Sequence, residues 1–132
     1  MGKTVKPVID LTGLPKEPAW YLVSTLYNNE DKYAENLKMG LEAKGLADKI
    51  IEIFVPIRRD YKEVENRKGI KELKEVRTKI LDNYVYVKAT MDESVWDYLR
   101  TTAGVATVIA PGGHPGVTSE EDIKKMKILC GQ

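Results

Sequence analysis

An α+β fold, with a mainly antiparallel four-stranded sheet and flanking helices, is what the sequence predicts. Three observations carry that reading. Short β-branched or aromatic runs are interleaved with stretches of helical period, the connections between them are short, and one heavily charged segment interrupts the series. At 132 residues the chain is long enough to bury one core without disulfides or metal, and its 42% hydrophobic and 31% charged content is that of a globular domain.

Residues 1–18 hold Pro7, Pro15, Pro18 and Gly13, which break both helix and strand, so an extended lead-in is expected there. WYLVSTLY follows, with Tyr21 and Val23 alternating against Trp20 and Leu22, a first strand that ends at Asn28-Asn29. Either asparagine suits a helix cap, and Glu30 and Asp31 suit the positive end of the helix dipole. From Glu30 to Lys44 an apolar stripe of Tyr33, Leu37 and Leu41, with Ala34 beside it, predicts a helix that Gly45 stops. KIIEIFVP, residues 49–56, is a β-branched run closed by Pro56 and reads as the second strand.

Residues 58–79 carry 14 charged side chains in 22 positions, nine cations and five anions, with Asn66-Arg67-Lys68-Gly69 as a turn. A solvated hairpin is expected, with Tyr61, Val64, Ile70, Leu73 and Val76 as its only apolar residues to bury; the cation excess is able to attract phosphate, though such runs are usually wet faces. In the strand that follows, Val85, Val87 and Ala89 point one way and Tyr84, Tyr86 and Lys88 the other, behind a polar turn at Asp82-Asn83. Asp92 then caps a short helix in which Val95, Trp96 and Leu99 share a side. GVATVIA gives the next strand, PGGHPG a loop, and Thr118-x-x-Glu121 the spacing of a capping box before a helix lined by Ile123, Met126 and Cys130. A βαββαβ chain with a charged hairpin inserted folds most readily in the ferredoxin-like pattern.

The chemistry of a catalytic or metal site does not emerge. Cys130 is the lone cysteine, so no intramolecular disulfide and no Cys/His metal cluster is expected; no cofactor is called for, and a reducing compartment, the cytoplasm, fits. No apolar run has the roughly 18 residues a membrane span needs, and the amino terminus lacks an apolar signal core, so no membrane association is expected. MGKT lacks the upstream strand and glycine of a phosphate loop. His114 has no carboxylate or nucleophile near it in sequence and reads as a turn histidine, while Glu120-Glu121 suit a helix start. With a net charge of +1, binding to nucleic acid requires a local basic cluster. Function is therefore expected at a binding surface, and pattern alone leaves open whether the tyrosines beside the turn are core or interface.

Several separated blocks resemble one family in order and spacing. WYLV (20–23), GLADKI (45–50) with VP at 55–56, YVYVKATMDESVWDYLRTTAGVATVIAPGG (84–113) and SEED (119–122) are similar to the amino-terminal (NGN) domain of the NusG transcription elongation factors. The resemblance covers roughly residues 19–129, and the domain it implies spans residues 19–130. It implies a non-enzymatic domain that binds RNA polymerase at the clamp helices of the largest subunit, bridges to the opposing pincer and modulates pausing, elongation and termination. It places Trp20, Leu81, Asp82, Asn83 and Tyr84 on the clamp-docking positions, Ser94, Val95, Trp96, Asp97 and Tyr98 on the second pincer contact, and Arg100, Thr101 and Thr102 on the non-template DNA strand at the upstream fork. The family's Phe-Pro-Gly before the tyrosine is replaced by Leu81-Asp82-Asn83; asparagine tolerates the left-handed conformation of the glycine, and leucine gives up ring contacts worth roughly 0.5–1.5 kcal/mol. The family's KOW domain, through which ribosome or termination factor is recruited, is expected outside this chain. Two rival readings share the fold: an RRM-like single-stranded RNA-binding domain displaying Tyr84 and Tyr86, whose signature DNYVYVKAT matches only faintly, and an acylphosphatase-like hydrolase, for which a glycine-rich anion loop is missing.

Overall fold

The computed structural model describes residues 9–132. The MGKT stretch and the first part of the expected lead-in lie outside them. In chain order the elements are β1 (Ala19–Thr25), α1 (Glu30–Gly40), β2 (Ile50–Phe54), β3 (Ile57–Glu65), β4 (Lys71–Lys79), β5 (Tyr84–Ala89), α2 (Glu93–Thr101), β6 (Val105–Val108), a 3-10 turn (Pro111–Gly113), β7 (Val117–Thr118) and α3 (Glu120–Leu129). This is the expected series with the short β7 added. The main sheet runs β2-β5-β1-β6, with β7 also on β1, and every pairing is antiparallel, which is the ferredoxin-like arrangement.

The alternation in β1 and β5 sorts side chains onto two faces, and both are covered in part. On the first face Tyr21, Val23, Val85, Val87 and Ala89 are buried with Tyr33 and Leu37 of α1 and Val95 and Leu99 of α2. Burial of apolar surface drives this packing at about 25 cal/mol per Å². Two tyrosines then lock the helices together reciprocally: the Tyr33 hydroxyl donates to the Leu99 carbonyl and the Tyr98 hydroxyl to the Leu37 carbonyl, each at 2.6 Å. Helix α1 ends at Gly40 rather than Lys44, but the chain keeps a near-helical path to Gly45. There Leu46 N–H bonds to Leu41 O at 2.9 Å and Gly45 N–H to Glu42 O at 3.0 Å, the paired closure that Gly45 permits at φ +68°.

On the second face lies α3. Its residue Ile123, and Cys130 just past its end, are buried with Trp20, Phe54 and Tyr86 in a separate apolar cluster, and Met126 packs beside them. Lys127 reaches Glu52 at 2.6 Å and Lys88 reaches Glu120 at 2.8 Å, fastening the helix to β2 and β5. The cap of α3 sits one residue later than expected: Ser119, not Thr118, accepts from the N–H of Asp122 at 3.1 Å, because Thr118 is taken into β7.

Strands β3 and β4 form a two-stranded sheet of their own, in register from Ile57↔Lys79 to Glu65↔Lys71. The ribbon is solvated, as expected: Tyr61, Ile70, Leu73 and Val76 are exposed, since among the described residues no second layer packs against it.

Candidate functional site

The turn before β5 is braced by hydrogen bonds to residues 25–30. Asn83 adopts φ +62°, the left-handed conformation that its short polar side chain tolerates, so asparagine does fill the place of glycine here. Its N–H donates to Glu30 Oε2 at 3.0 Å, its carbonyl accepts from Thr25 N–H at 2.8 Å, and its side-chain oxygen accepts from Asn28 N–H at 3.3 Å. Glu30 itself is only 2% exposed and is also met by Lys79 Nζ at 3.1 Å. Burial by itself pushes this carboxyl up, but the bonds from the backbone N–H groups of Asn83 and Glu30 and from Lys79 outweigh it and hold the group below the ordinary glutamate value.

Register shows what the turn presents. The second-face side chains form rows: Glu52, Lys88 and Trp20; then Phe54, Tyr86 and Leu22; then Tyr84 and Ser24. Helix α3 covers the first row and part of the second. Trp20 is 2% exposed, its Nε1–H donates to Glu120 Oε2 at 3.2 Å, and Lys127 and Lys88 stand over its ring at 5.4 and 5.9 Å. Trp20 is therefore a buried support, which corrects the expectation of an open contact there. Tyr86, 8% exposed and stacked on Phe54 with ring centroids 6.1 Å apart, is also sealed. Met126 of the helix and, beyond it, Leu22, Ile80 and Leu81 are half-buried around that cluster, and Ser24, Asn83 and Tyr84 are half-buried at the open end, with Asp82 exposed at the turn. The result is a partly apolar strip between α3 and the turn.

Two residues that sequence pattern did not single out extend this surface. Leu26 and Tyr27 follow β1, are 53% and 79% exposed, and sit next to Asn28, which is bonded to the turn; Lys79 Nζ lies 5.8 Å from the Tyr27 ring centre. The signal was available in the break of alternation after Thr25, where two large apolar residues in succession enter a loop.

The residues expected to contact the second pincer divide. Val95 and Tyr98 are core, 0% and 8% exposed, which corrects their assignment as contacts: positions three and four apart on α2 face α1 and the sheet. Ser94 and Asp97 are exposed and Trp96 is half-buried. The Asp92 cap is as expected, accepting from Val95 N–H at 2.9 Å while ion-paired to Lys49. At the helix end Arg100 is held by Asp97 at 2.8 Å, and the Thr101 and Thr102 hydroxyls donate back to the carbonyls of Asp97 and Tyr98. Their side chains are thus engaged within the helix, with Arg100 and Thr101 exposed to solvent. His114 is exposed and pairs with the carbonyl of Asp10 at 2.9 Å, tying the lead-in to the loop before β7. A cavity of about 520 Å³ opens along the outer edge of β2 against α1, lined by Ala34, Ile53, Val55 and Gln132 among others, and contains none of the expected site residues. Among the described residues no group of His, Cys, Asp and Glu is placed to hold a metal ion, and no helix is long and apolar enough to cross a membrane.

Comparison with known proteins converges. The family model described as "Transcription termination factor nusG" matches residues 18–127. The transcription termination/antitermination protein NusG of Thermus thermophilus is 28% identical over 117 residues, covering 85% of this chain and 61% of that protein. The same protein of Bacillus subtilis is 33% identical over 97 residues, covering 74% and 52%. The chain thus spans between half and two thirds of the length of these curated relatives. Among solved structures, a study of domain interaction in Thermotoga maritima NusG gives a TM-score of 0.67 at 24% identity, over 87% of this chain and 58% of that one. The amino-terminal NusG domain (NGN) of Methanocaldococcus jannaschii gives 0.51 at 17% identity, over 81% and 98%. These structural likenesses concern the fold.

Proposed function

Since the chain belongs to the NusG family, a family of transcription termination and antitermination factors rather than of enzymes, we propose that it acts by docking on RNA polymerase through the strip beside the turn at residues 81–84. The observation that carries this reading is the bracing of that turn: a buried carboxylate, a left-handed asparagine and two further backbone bonds hold Leu81, Asp82 and Tyr84 at the edge of an apolar strip. A pre-set loop loses little conformational freedom on binding, and tyrosine buries a large area while keeping its polar tip wet.

In this reading the clamp helices of the largest subunit pack on Leu22, Leu81 and Tyr84, with Trp20 supporting the strip from below. Asp82 favours a basic residue on the partner. Ser94, Trp96 and Asp97, the accessible part of α2, meet the opposing pincer, and Arg100 with Thr101 and Thr102 lies toward the displaced DNA strand. For the threonines that contact needs the hydroxyls to leave their carbonyl partners or to share them. A domain that touches both pincers only when the cleft is closed shifts the polymerase toward that state, about tenfold per 1.4 kcal/mol of differential affinity. Recruitment of ribosome or termination factor, on this reading, belongs to a KOW domain outside these residues. The RNA-binding alternative is disfavoured by α3, which covers Tyr86 where an RRM needs an open aromatic face.

The test is retention on an immobilised clamp-helix fragment of the cognate polymerase. The wild-type chain is retained and Tyr84→Ala and Leu81→Ala each weaken it about tenfold, the loss expected of a central aromatic or apolar anchor. Absence of binding, or binding indifferent to both substitutions, overturns the proposal.

A further inference from the structure

The β3–β4 hairpin carries an arrangement of charge that folding does not explain. Each strand has nine residues, so the ribbon extends for about 30 Å. Five of its nine cations are neutralised in place: Arg58 by Asp60, Arg59 by Glu75, Lys71 by Glu63, Arg77 by Asp31 and Lys79 by Glu30. Lys62, Lys74, Arg67 and Lys68 form no ion pair among the described residues, and all four are exposed. Register places Lys62 directly opposite Lys74, a cross-strand pairing of like charges that destabilises the ribbon.

Those two lysines share the face that carries Arg58, Asp60, Glu72 and Val76, and neither of its carboxylates is ion-paired to them. Asp60 is neutralised by Arg58, whereas Glu72 accepts from the neutral Asn66 Nδ2 at 3.0 Å and keeps its charge without an ion pair. Glu65, opposite Lys71, lies on the other face. The tip is not loose either: Asn66 Oδ1 accepts from the N–H groups of Lys68 and Ile70 at 2.9 and 3.0 Å, so Arg67 and Lys68 stand on a formed turn. The face and tip together present four cations without an ion pair on a narrow two-stranded ribbon, against two carboxylates, Glu65 and Glu72, that also have none among the described residues.

We infer that this face of the hairpin grips the phosphate backbone of double-stranded DNA. Unpaired lysines and arginines gain most from phosphate, because each contact releases a condensed counterion. A two-stranded ribbon fits the major groove of B-form DNA, about 12 Å wide, whereas the corresponding groove of double-stranded RNA is too deep and narrow for side chains to read. The contact is sequence-independent, since lysine heads aimed at phosphate carry no base information.

The experiment uses the 132-residue chain and a bare 20-base-pair duplex, followed by fluorescence anisotropy across a salt series; polymerase is absent, so failure of the docking reading and failure of this one are separable. With four phosphate contacts the log–log salt slope is about −3.6, and Lys62→Glu/Lys74→Glu reduces it by about 1.8 while weakening binding at low salt at least tenfold. A charge-matched control, Lys32→Glu/Lys124→Glu, changes neither by more than about twofold. Circular dichroism and thermal melting of each variant verify that the fold is retained. Equal losses in both double variants show a net-charge effect and overturn the inference. So does tighter binding to single-stranded RNA of the same length, or a hairpin double variant that binds duplex as wild type does.

Discussion

Glu30→Gln tests the brace on which the candidate site rests. The carboxylate is 2% exposed and accepts from Asn83 N–H at 3.0 Å and from Lys79 Nζ at 3.1 Å. Glutamine keeps one acceptor for the backbone N–H, but turns a charge-assisted bond into a neutral one and strips Lys79 of its counter-ion. Loss of such a bond in a buried setting costs about 2–3 kcal/mol. Unfolding entropy of about 2.1 cal/mol/K per residue makes each kcal/mol worth roughly 3–4 °C for a chain of this size, so the melting temperature falls by about 7–11 °C at neutral pH. Because the folded carboxyl titrates below its ordinary value of 4.5, its contribution is complete above that pH and is lost as pH falls through the lower folded value. Wild type and variant therefore converge in acid. The assay is thermal unfolding by circular dichroism at about pH 7 and again at about pH 3. A shift under about 2 °C at neutral pH, or a gap of the same size at both, refutes the account of Glu30 as an ionised clasp.

Asn83→Gly retains the left-handed turn at φ +62° and leaves stability within about 0.5 kcal/mol, whereas Asn83→Ala costs about 1–2 kcal/mol; urea midpoints of the two variants separate turn geometry from side-chain bonding. Trp20→Ala, emptying a site 2% exposed beneath α3, destabilises by about 3–5 kcal/mol, and chemical denaturation showing less than 1 kcal/mol contradicts its burial. Ser119→Ala removes the observed cap of α3 and costs about 1 kcal/mol, while Thr118→Ala leaves the helix cap intact; their melting temperatures order accordingly. Tyr98→Phe deletes the bond to Leu37 O and lowers stability by about 1 kcal/mol, measurable by the same melts, with polymerase retention unchanged if the residue is core alone.

Much of the fold was legible because periodicity is a direct imprint of burial. The alternation of Val85, Val87 and Ala89, the stripe of Tyr33 and Leu37, and helix boundaries such as the stop at Gly45 and the cap at Asp92 each encode a local constraint. What pattern cannot encode is which layer a face meets. Trp20 and Tyr86 read as a possible open surface because nothing in their own strands says that α3, about a hundred residues later for Trp20, returns to cover them. Val95 and Tyr98 were readable as core from their spacing alone, yet block resemblance assigned the whole run from Ser94 to Tyr98 to one surface. The hairpin was visible as charge, but the opposition of Lys62 and Lys74 depends on a register that a one-residue change in the turn abolishes.

The hairpin's attachment has an evolutionary reading. Its two ends leave the body side by side, with Ile57 paired to Lys79 and Lys79 and Arg77 anchored to the start of α1. Closing a longer or shorter ribbon over such a root changes the loop entropy only logarithmically. Residues can thus be gained or lost beyond that root in matched cross-strand pairs while the sheet, its helices and the braced turn keep their places. Descendants of one ancestral body are free to try new reach and new charge on this arm at small thermodynamic risk.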